Sequence, residues 1–251
     1  ALEQNVLNEN NKEFLLKFIN FLENKKNIYS QLYQDMFAEF IVGKNSEKFF
    51  LEFGATDGLE YSNSYTLEKF FMWKGVLAEP DPQWHKDLKK NRPNTKIIHD
   101  CVWNKSNENL NFLSSNKGVY STLDIFKLSD QDTMPGNSRK RMESFKQIKV
   151  NTISLNDLIN EYFNDVAPSY ISVDTEGSEL DILKGSTETL QNVHGLEVEC
   201  SFNQLRKGQP LFEEVREYLE KKDFVFIDFV TMIRWEKESF TFHGQPQISD
   251  A

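Results

Sequence analysis

The sequence predicts an α/β fold built on an open, largely parallel sheet, and three observations carry that prediction. An apolar run, Phe49-Phe50-Leu51-Glu52-Phe53, enters a turn bounded by Gly54 and Gly58. A second run, Gly75-Val76-Leu77-Ala78, ends in Glu79 after an interval that holds one crossover helix. Strand-like and helix-like patterns then alternate along most of the chain, the signature of a sheet covered on both faces. Strands are predicted over 48–53, 76–79, 96–101, 170–174, 195–200 and 224–229. Helices between them are predicted over 64–71, 83–91, 155–163, 179–183 and 212–221. Two amphipathic helices precede the alternation. The first, 11–25, has Phe14, Leu15, Phe18, Ile19 and Leu22 at helical spacing, and the second covers 31–42. These divide the chain into an N-terminal helical segment, 1–44, packed on the core, and a main domain, 45–251. Residues 114–149 interrupt the alternation with polar residues and the breaker pair Pro135-Gly136. Such an insertion reads as a substrate lid or as a solvated loop.

Composition narrows the class. At 251 residues, with 39% hydrophobic and 27% charged residues, the chain is long enough for one α/β domain with a large core. A net charge of −10 disfavours sequence-independent nucleic-acid binding, which needs a basic surface. Two cysteines, Cys101 and Cys200, make neither a disulfide framework nor a Cys-rich zinc site, and point to a reducing, cytoplasmic setting. His85, His99, His194 and His243 show no metal-ligand spacing. No apolar run reaches membrane-spanning length, and the N-terminus lacks a signal-peptide core.

Four motifs carry chemistry. In Glu52-Phe53-Gly54-Ala55-Thr56-Asp57-Gly58 the glycines allow a sharp turn and close ligand approach. Asp57 suits an amino-acid ammonium and Glu52 suits orienting the turn, although glycine and aspartate are common in any strand-to-helix turn. In Glu79-Pro80-Asp81-Pro82 the strand-end Glu79 suits a ribose diol, and Asp81 suits capping the next helix. The spacing departs from Gly-x-Gly-x-x-Gly, so adenosine without a pyrophosphate, as in S-adenosylmethionine (SAM), fits better than a dinucleotide. In His99-Asp100-Cys101-Val102, Asp100 suits the adenine amine, while Cys101 and Val102 suit an apolar wall. The fourth, Val173-Asp174-Thr175-Glu176-Gly177-Ser178-Glu179, puts two acids just beyond a β-branched strand. Asp174 and Glu176 suit ligand binding, general-base catalysis or a hard cation such as Mg²⁺. Glu179 suits a helix N-terminus, where an acid stabilises without a functional role.

These segments together resemble the FkbM-type methyltransferases, from about Gln31 onward. Ser30-Gln31-Leu32-Tyr33-Gln34-Asp35 resembles the family's leading element, and 50–58 its glycine loop. Ser62-Asn63-Ser64 and then 73–80 continue in register. Val173 to Glu179, followed by Leu183-Lys184-Gly185, resembles its most recognisable run. Thr56 and Thr175 stand where the family commonly has Asn and Val. Family members usually continue beyond a segment like 247–251 into a short apolar strand, so the chain is expected to lack its last strand.

The resemblance implies a Rossmann-like methyltransferase fold with a mostly parallel seven-stranded sheet. It implies SAM held by Glu52, Gly54, Ala55, Asp57, Gly58, Asn63, Glu79, Pro80, Asp100, Cys101, Val102 and Asp174. The expected reaction is O-methylation of a sugar, glycan or related small molecule, with Asp174 and Glu176 as catalytic acids or Mg²⁺ ligands. Two rivals stand beside it. One is a non-catalytic SAM- or nucleoside-binding module within a larger assembly. The other is a nicotinamide oxidoreductase, disfavoured by the absent dinucleotide motif.

Overall fold

The computed structural model describes residues 9–23, 28–43, 48–115, 120–127, 145–163, 166–202, 206–227 and 229. Its centre is a five-stranded, wholly parallel sheet in the order β3-β2-β1-β8-β9. These strands are β1 (Phe49–Phe53), β2 (Lys74–Ala78), β3 (Lys96–Ile98), β8 (Tyr170–Val173) and β9 (Gly195–Val198). Leu51 of β1 faces Val76 on one side and Ile171 on the other.

Strand alternation sends neighbouring side chains to opposite faces of this sheet. Leu51, Phe53, Val76, Ile171 and Val173 pack against Leu155, Leu158 and Ile159 of α5 (Leu155–Phe163). Phe50, Leu77 and Tyr170 face the other way. They meet Ala38 and Val42 of α2 (Gln34–Val42), Leu67 of α3 (Tyr65–Phe71) and Leu88 of α4 (His85–Asn91). Both faces of β1 are therefore dry, which explains its nearly continuous apolar run. α1 (Glu9–Leu22) lies against α2 through ring contacts of Phe18 with Phe37 and Phe40. Glu39 of α2 is fastened to the start of the sheet: Trp73 Nε1 donates to it at 2.6 Å and Lys48 Nζ at 3.0 Å.

The expected seven-stranded single sheet is corrected to two sheets. A four-stranded mixed sheet, in the order β4-β7-β5-β6, stands beside the parallel one. It comprises β4 (Cys101–Trp103), β5 (Asn109–Ser115), β6 (Thr122–Leu123) and β7 (Phe145–Ser154). The strand expected over 96–101 breaks at His99-Asp100, so β3 joins the first sheet and β4 the second. Within the polar region expected to be a lid or loop, 114–149, the end of β5, all of β6 and the start of β7 are β structure. Leu110 pairs with Val150 and Phe112 with Ile148, and this face packs with Trp103, Leu123 and Phe126. Residues 116–119 and 128–144 of the expected lid lie outside the described residues.

The strand expected over 224–229 does not form among the described residues, where Phe226 and Phe229 instead pack their rings against Phe212 of α7 (Phe212–Glu220). The expected missing strand beyond 247–251 also falls outside the described residues. Among the described residues no helix is long and apolar enough to cross a membrane.

Leu158 is fully buried between α5 and the sheet. Leu158→Ala should cost about 2–5 kcal/mol in denaturant unfolding. Leu16→Ala, at a half-exposed position on α1, should stay within about 0.5 kcal/mol.

Candidate active site

Along the sheet, β1 leads through α3 to β2 and through α4 to β3, whereas β8 leads through α6 (Glu179–Lys184) to β9 on the opposite side. The order reverses between β1 and β8. In parallel sheets the crevice beyond the carboxyl ends at such a reversal is where ligands bind. A cleft of about 550 Å³ opens there. Its walls include Gly54 after β1, Glu79 after β2, Asp174 after β8 and Glu199 after β9.

The floor of the cleft is a close approach of two backbones. A Cβ built on Gly54 would lie 1.9 Å from the Asp174 carbonyl oxygen, and Gly54 has φ +81°. Only glycine meets both conditions. Three other cleft residues hold left-handed backbones: Thr56 (φ 46°), Tyr61 (φ 58°) and Glu176 (φ 61°). For a β-branched residue such as Thr56 this is a strained state, the kind that clusters at ligand sites.

Glu52 is buried in β1 and accepts hydrogen bonds from Asn63 N at 2.8 Å, Ser62 Oγ at 3.1 Å and Ser64 Oγ. Burial pushes its carboxyl up, while the Arg92 charge and these hydrogen bonds oppose the shift. The buried Arg92 guanidinium donates to Ser62 Oγ, Ser64 Oγ and the Gly58 carbonyl, and pairs with Glu68. Glu52 therefore ties the 62–64 segment, beyond the glycine turn, to β1. Asn63 Nδ2 donates to Ser172 Oγ at 3.0 Å, while its Oδ1 is buried without a hydrogen-bond partner beside the cleft.

Glu79 lies in the cleft wall as expected. One of its oxygens accepts from Thr56 N and the other from Asp81 N, each at 2.8 Å. Each carboxylate oxygen keeps further acceptor capacity for a diol. Burial raises its carboxyl to about 7, against the two amide hydrogen bonds and with a contribution from Asp81. Asp81 accepts from Gln83 N at 3.2 Å and Ser121 Oγ at 3.0 Å, holding the turn before α4 rather than capping the helix, which begins at His85. Ala55, Pro80, Cys101 and Val102 also line the cleft. Burial together with the charges of Glu79 and Asp100 pushes the Cys101 thiol up to about 12, so it serves as an uncharged wall.

Three residues expected to contact the cofactor lie outside the lining of this cleft. Asp57 turns away from the cleft and accepts from Leu59 N and Glu60 N at 2.9 Å, closing its own turn. Gly58 sits behind the wall, where a Cβ would strike Leu88 and Arg92. Asp100 falls at the break between β3 and β4 and is not part of the cleft wall.

The fourth motif is also rearranged. Asp174 faces the cleft, and its carboxyl is raised to about 7 by desolvation, then by the charges of Glu176 and Glu179. Glu176 reaches the cleft but its carboxylate pairs with the buried Arg206. Glu179 is the first residue of α6, at the helix N-terminus as expected. It is buried and accepts from Thr175 N and Gly177 N at 3.1 and 2.9 Å, holding the turn together. The expectation of a cation at Asp174 and Glu176 is withdrawn. Among the described residues no group of three or more His, Cys, Asp or Glu side chains could hold a metal ion.

Sequence reasoning missed several cleft residues. Phe112 and Leu123 come from the second sheet and Tyr120 from the turn just before β6. Glu199 was findable, because the strand-end rule that selects Glu79 selects it as well.

The family model described as the methyltransferase FkbM domain matches residues 52–226, well over half of the chain. The chain belongs to the FkbM methyltransferase family. The matched segment starts later than the resemblance from Gln31 suggested, and it spans the cleft residues from Glu52 to Glu199. Similar solved structures include an FkbM methyltransferase from Methylobacillus flagellatus KT, at 14% identity and TM-score 0.42. That match covers 84% of this chain and 54% of the other, so this FkbM chain spans about half the length of that protein. Another is a TehB-like SAM-dependent methyltransferase from Corynebacterium glutamicum ATCC 13032 Kitasato, at 10% identity and TM-score 0.36, covering 85% of this chain and 83% of that one. No curated protein matches the chain.

Two predictions test this FkbM site. Gly54→Ala forces a methyl onto the Asp174 carbonyl at positive φ and should cost more than about 1 kcal/mol in denaturant unfolding. The second concerns pH. Glu197, which accepts from Tyr170 Oη at 2.9 Å, is raised to about 8 by burial, and Glu79 to about 7, both from an ordinary value of 4.5. Between the ordinary and the raised values the native state holds protons that the unfolded chain has released, so these groups make stability fall as pH rises. The thermal midpoint should decline from about pH 5 to about pH 8.5, and Glu197→Gln should make the decline shallower. A decline equally steep in the variant would contradict the assignment.

Proposed function

We propose that this chain transfers a methyl group from SAM to a hydroxyl of a sugar, glycan or related small molecule. The observation that carries the reading is the meeting of Gly54, Glu79 and Asp174 around one cleft at the reversal of a parallel sheet. The family supports methyl transfer as the reaction class.

The residues present fit a nucleoside sulfonium. Glu79 has acceptor capacity for the ribose diol, and Cys101 and Val102 supply an apolar wall for a base. Asn63 Oδ1 is an orphaned acceptor suited to an ammonium group, which supports the fit. The turn at Gly54 keeps side chains out of the space beside Asp174. When bound, SAM supplies an electrophilic methyl group, so no covalent enzyme intermediate is required.

What remains for the chain is to hold the acceptor oxygen in line and to receive its proton. Alignment can supply several kcal/mol of barrier lowering and a general base about 10²–10⁴-fold. Asp174 suits the proton acceptor better than Glu176, whose charge Arg206 already engages.

Calorimetry tests the first step. The parent should bind SAM in the micromolar range, and Glu79→Gln should lose about 1.5–3 kcal/mol, the scale of a hydrogen bond to a charged group. No binding by the folded parent overturns the reading. Binding with no transfer to any hydroxyl acceptor screened would favour a non-catalytic SAM-binding module.

A further inference from the structure

We propose that Asp174 and Glu199 work as one proton-sharing carboxyl pair, in which Glu199 is the positioning residue that keeps Asp174 ready to take the acceptor's proton. This rests on the methyl-transfer reading for its chemical purpose, but the pair itself is an arrangement of the chain.

The sheet register creates the pair. Val173 of β8 is the parallel partner of Val198 of β9, and Glu199 N donates to the Val173 carbonyl at 2.9 Å. The next residue of each strand, Asp174 and Glu199, therefore emerges side by side at the carboxyl end of the sheet. Both line the cleft, and side by side there Glu199 acts as a hydrogen-bonding neighbour that lowers the proton affinity of Asp174. Two carboxylates share such a contact only if one of them keeps a proton, because like charges in a desolvated site cannot both ionise at low cost.

The surroundings decide which one keeps it. Glu199 feels the negative charges of Asp174, Glu176 and Glu179, with only Arg206 opposing. Arg206 Nη2 is engaged with Glu176, while Nη1 makes no hydrogen bond to Glu199. Glu199 Oε2 is buried without a hydrogen-bond partner, a placement that a neutral acid tolerates and a full charge does not. Asp174 also faces Glu52 from β1 and Glu197 from β9, but the hydrogen bond from Glu199 favours its ionised form. The neutral Glu199 acid thus donates to the Asp174 carboxylate.

The proton balance of the step follows. The acceptor O–H bond breaks and its proton moves to the Asp174 carboxylate. The oxygen electron pair forms the new O–C bond, and the pair of the broken C–S bond remains on sulfur as a neutral thioether. Glu199 keeps its proton throughout, so it tunes and orients Asp174 without contacting the acceptor.

The test uses infrared pH titration of the full chain without ligand. Glu79 and Glu197 also titrate near neutrality, so parent-minus-variant spectra are compared. A protonated-carboxyl band should persist in the parent above about pH 8 and vanish in Glu199→Gln. In Asp174→Asn the same band should ionise at least about one pH unit lower, a tenfold change in proton affinity, because the neighbouring charge is gone. A Glu199 band that ignores Asp174→Asn, or no alkaline band assignable to Glu199, overturns the pair. If Asp174→Asn fails to fold, the Glu199→Gln spectrum alone decides. SAM calorimetry on the same proteins separates the two readings. Binding with an uncoupled Glu199 sinks only the pair, whereas a coupled pair without SAM binding sinks only the methyl-transfer reading.

Discussion

Glu52 is a carboxylate in the middle of a strand whose two faces are both buried, and the layout of the site depends on how the chain satisfies it. An isolated charge there would cost far more than the domain's net stability. The chain meets it with Ser62, Asn63 and Ser64 from the loop after β1 and with Arg92 from the end of α4. Those contacts pull the 54–64 segment back over the end of the sheet. That segment is one wall of the cleft, so the satisfaction of a buried acid and the shape of the binding site are the same structural event.

A second consequence is electrostatic. Every strand of the parallel sheet that borders the cleft ends in or near an acid, and the basic residues that approach them, Arg92 and Arg206, sit behind the wall rather than in it. Desolvation then dominates, and Glu79, Asp174, Glu197 and Glu199 are all raised. This works against stability at neutral pH. It also leaves a cleft whose acids are partly neutral until a cation arrives, suited to a sulfonium ligand. The left-handed backbones of Thr56, Tyr61 and Glu176 add backbone strain at the same cleft.

The parallel sheet and most of its helices were legible because long apolar runs and helical spacing are local signals. Leu155–Phe163 falls where the periodicity puts it, and Phe49–Phe53 within one residue. The second sheet was hidden, because the polar residues of Asn109–Ser115 and Phe145–Ser154 give no strong strand signal and 114–149 reads as a lid or solvated loop. In the site, Gly54, Glu79 and Asp174 were legible as strand-end residues. Asp57 and Asp100 were misassigned because their positions in a motif do not reveal where a turn directs them. Glu199 was passed over although it obeys the same rule as Glu79.

By itself the sequence determined the strand–turn–helix units, the need for glycine at position 54 and the acids that end the strands. Each follows from backbone sterics or from hydrophobic period within a few residues. The tertiary structure decided which acids meet. The adjacency of Asp174 and Glu199, the capture of Glu176 by Arg206 and the burial of Glu179 depend on the register of β8 with β9 and on a loop some 30 residues away. Proton affinity depends on neighbours and solvent exposure, and neither exists until the chain has closed on itself.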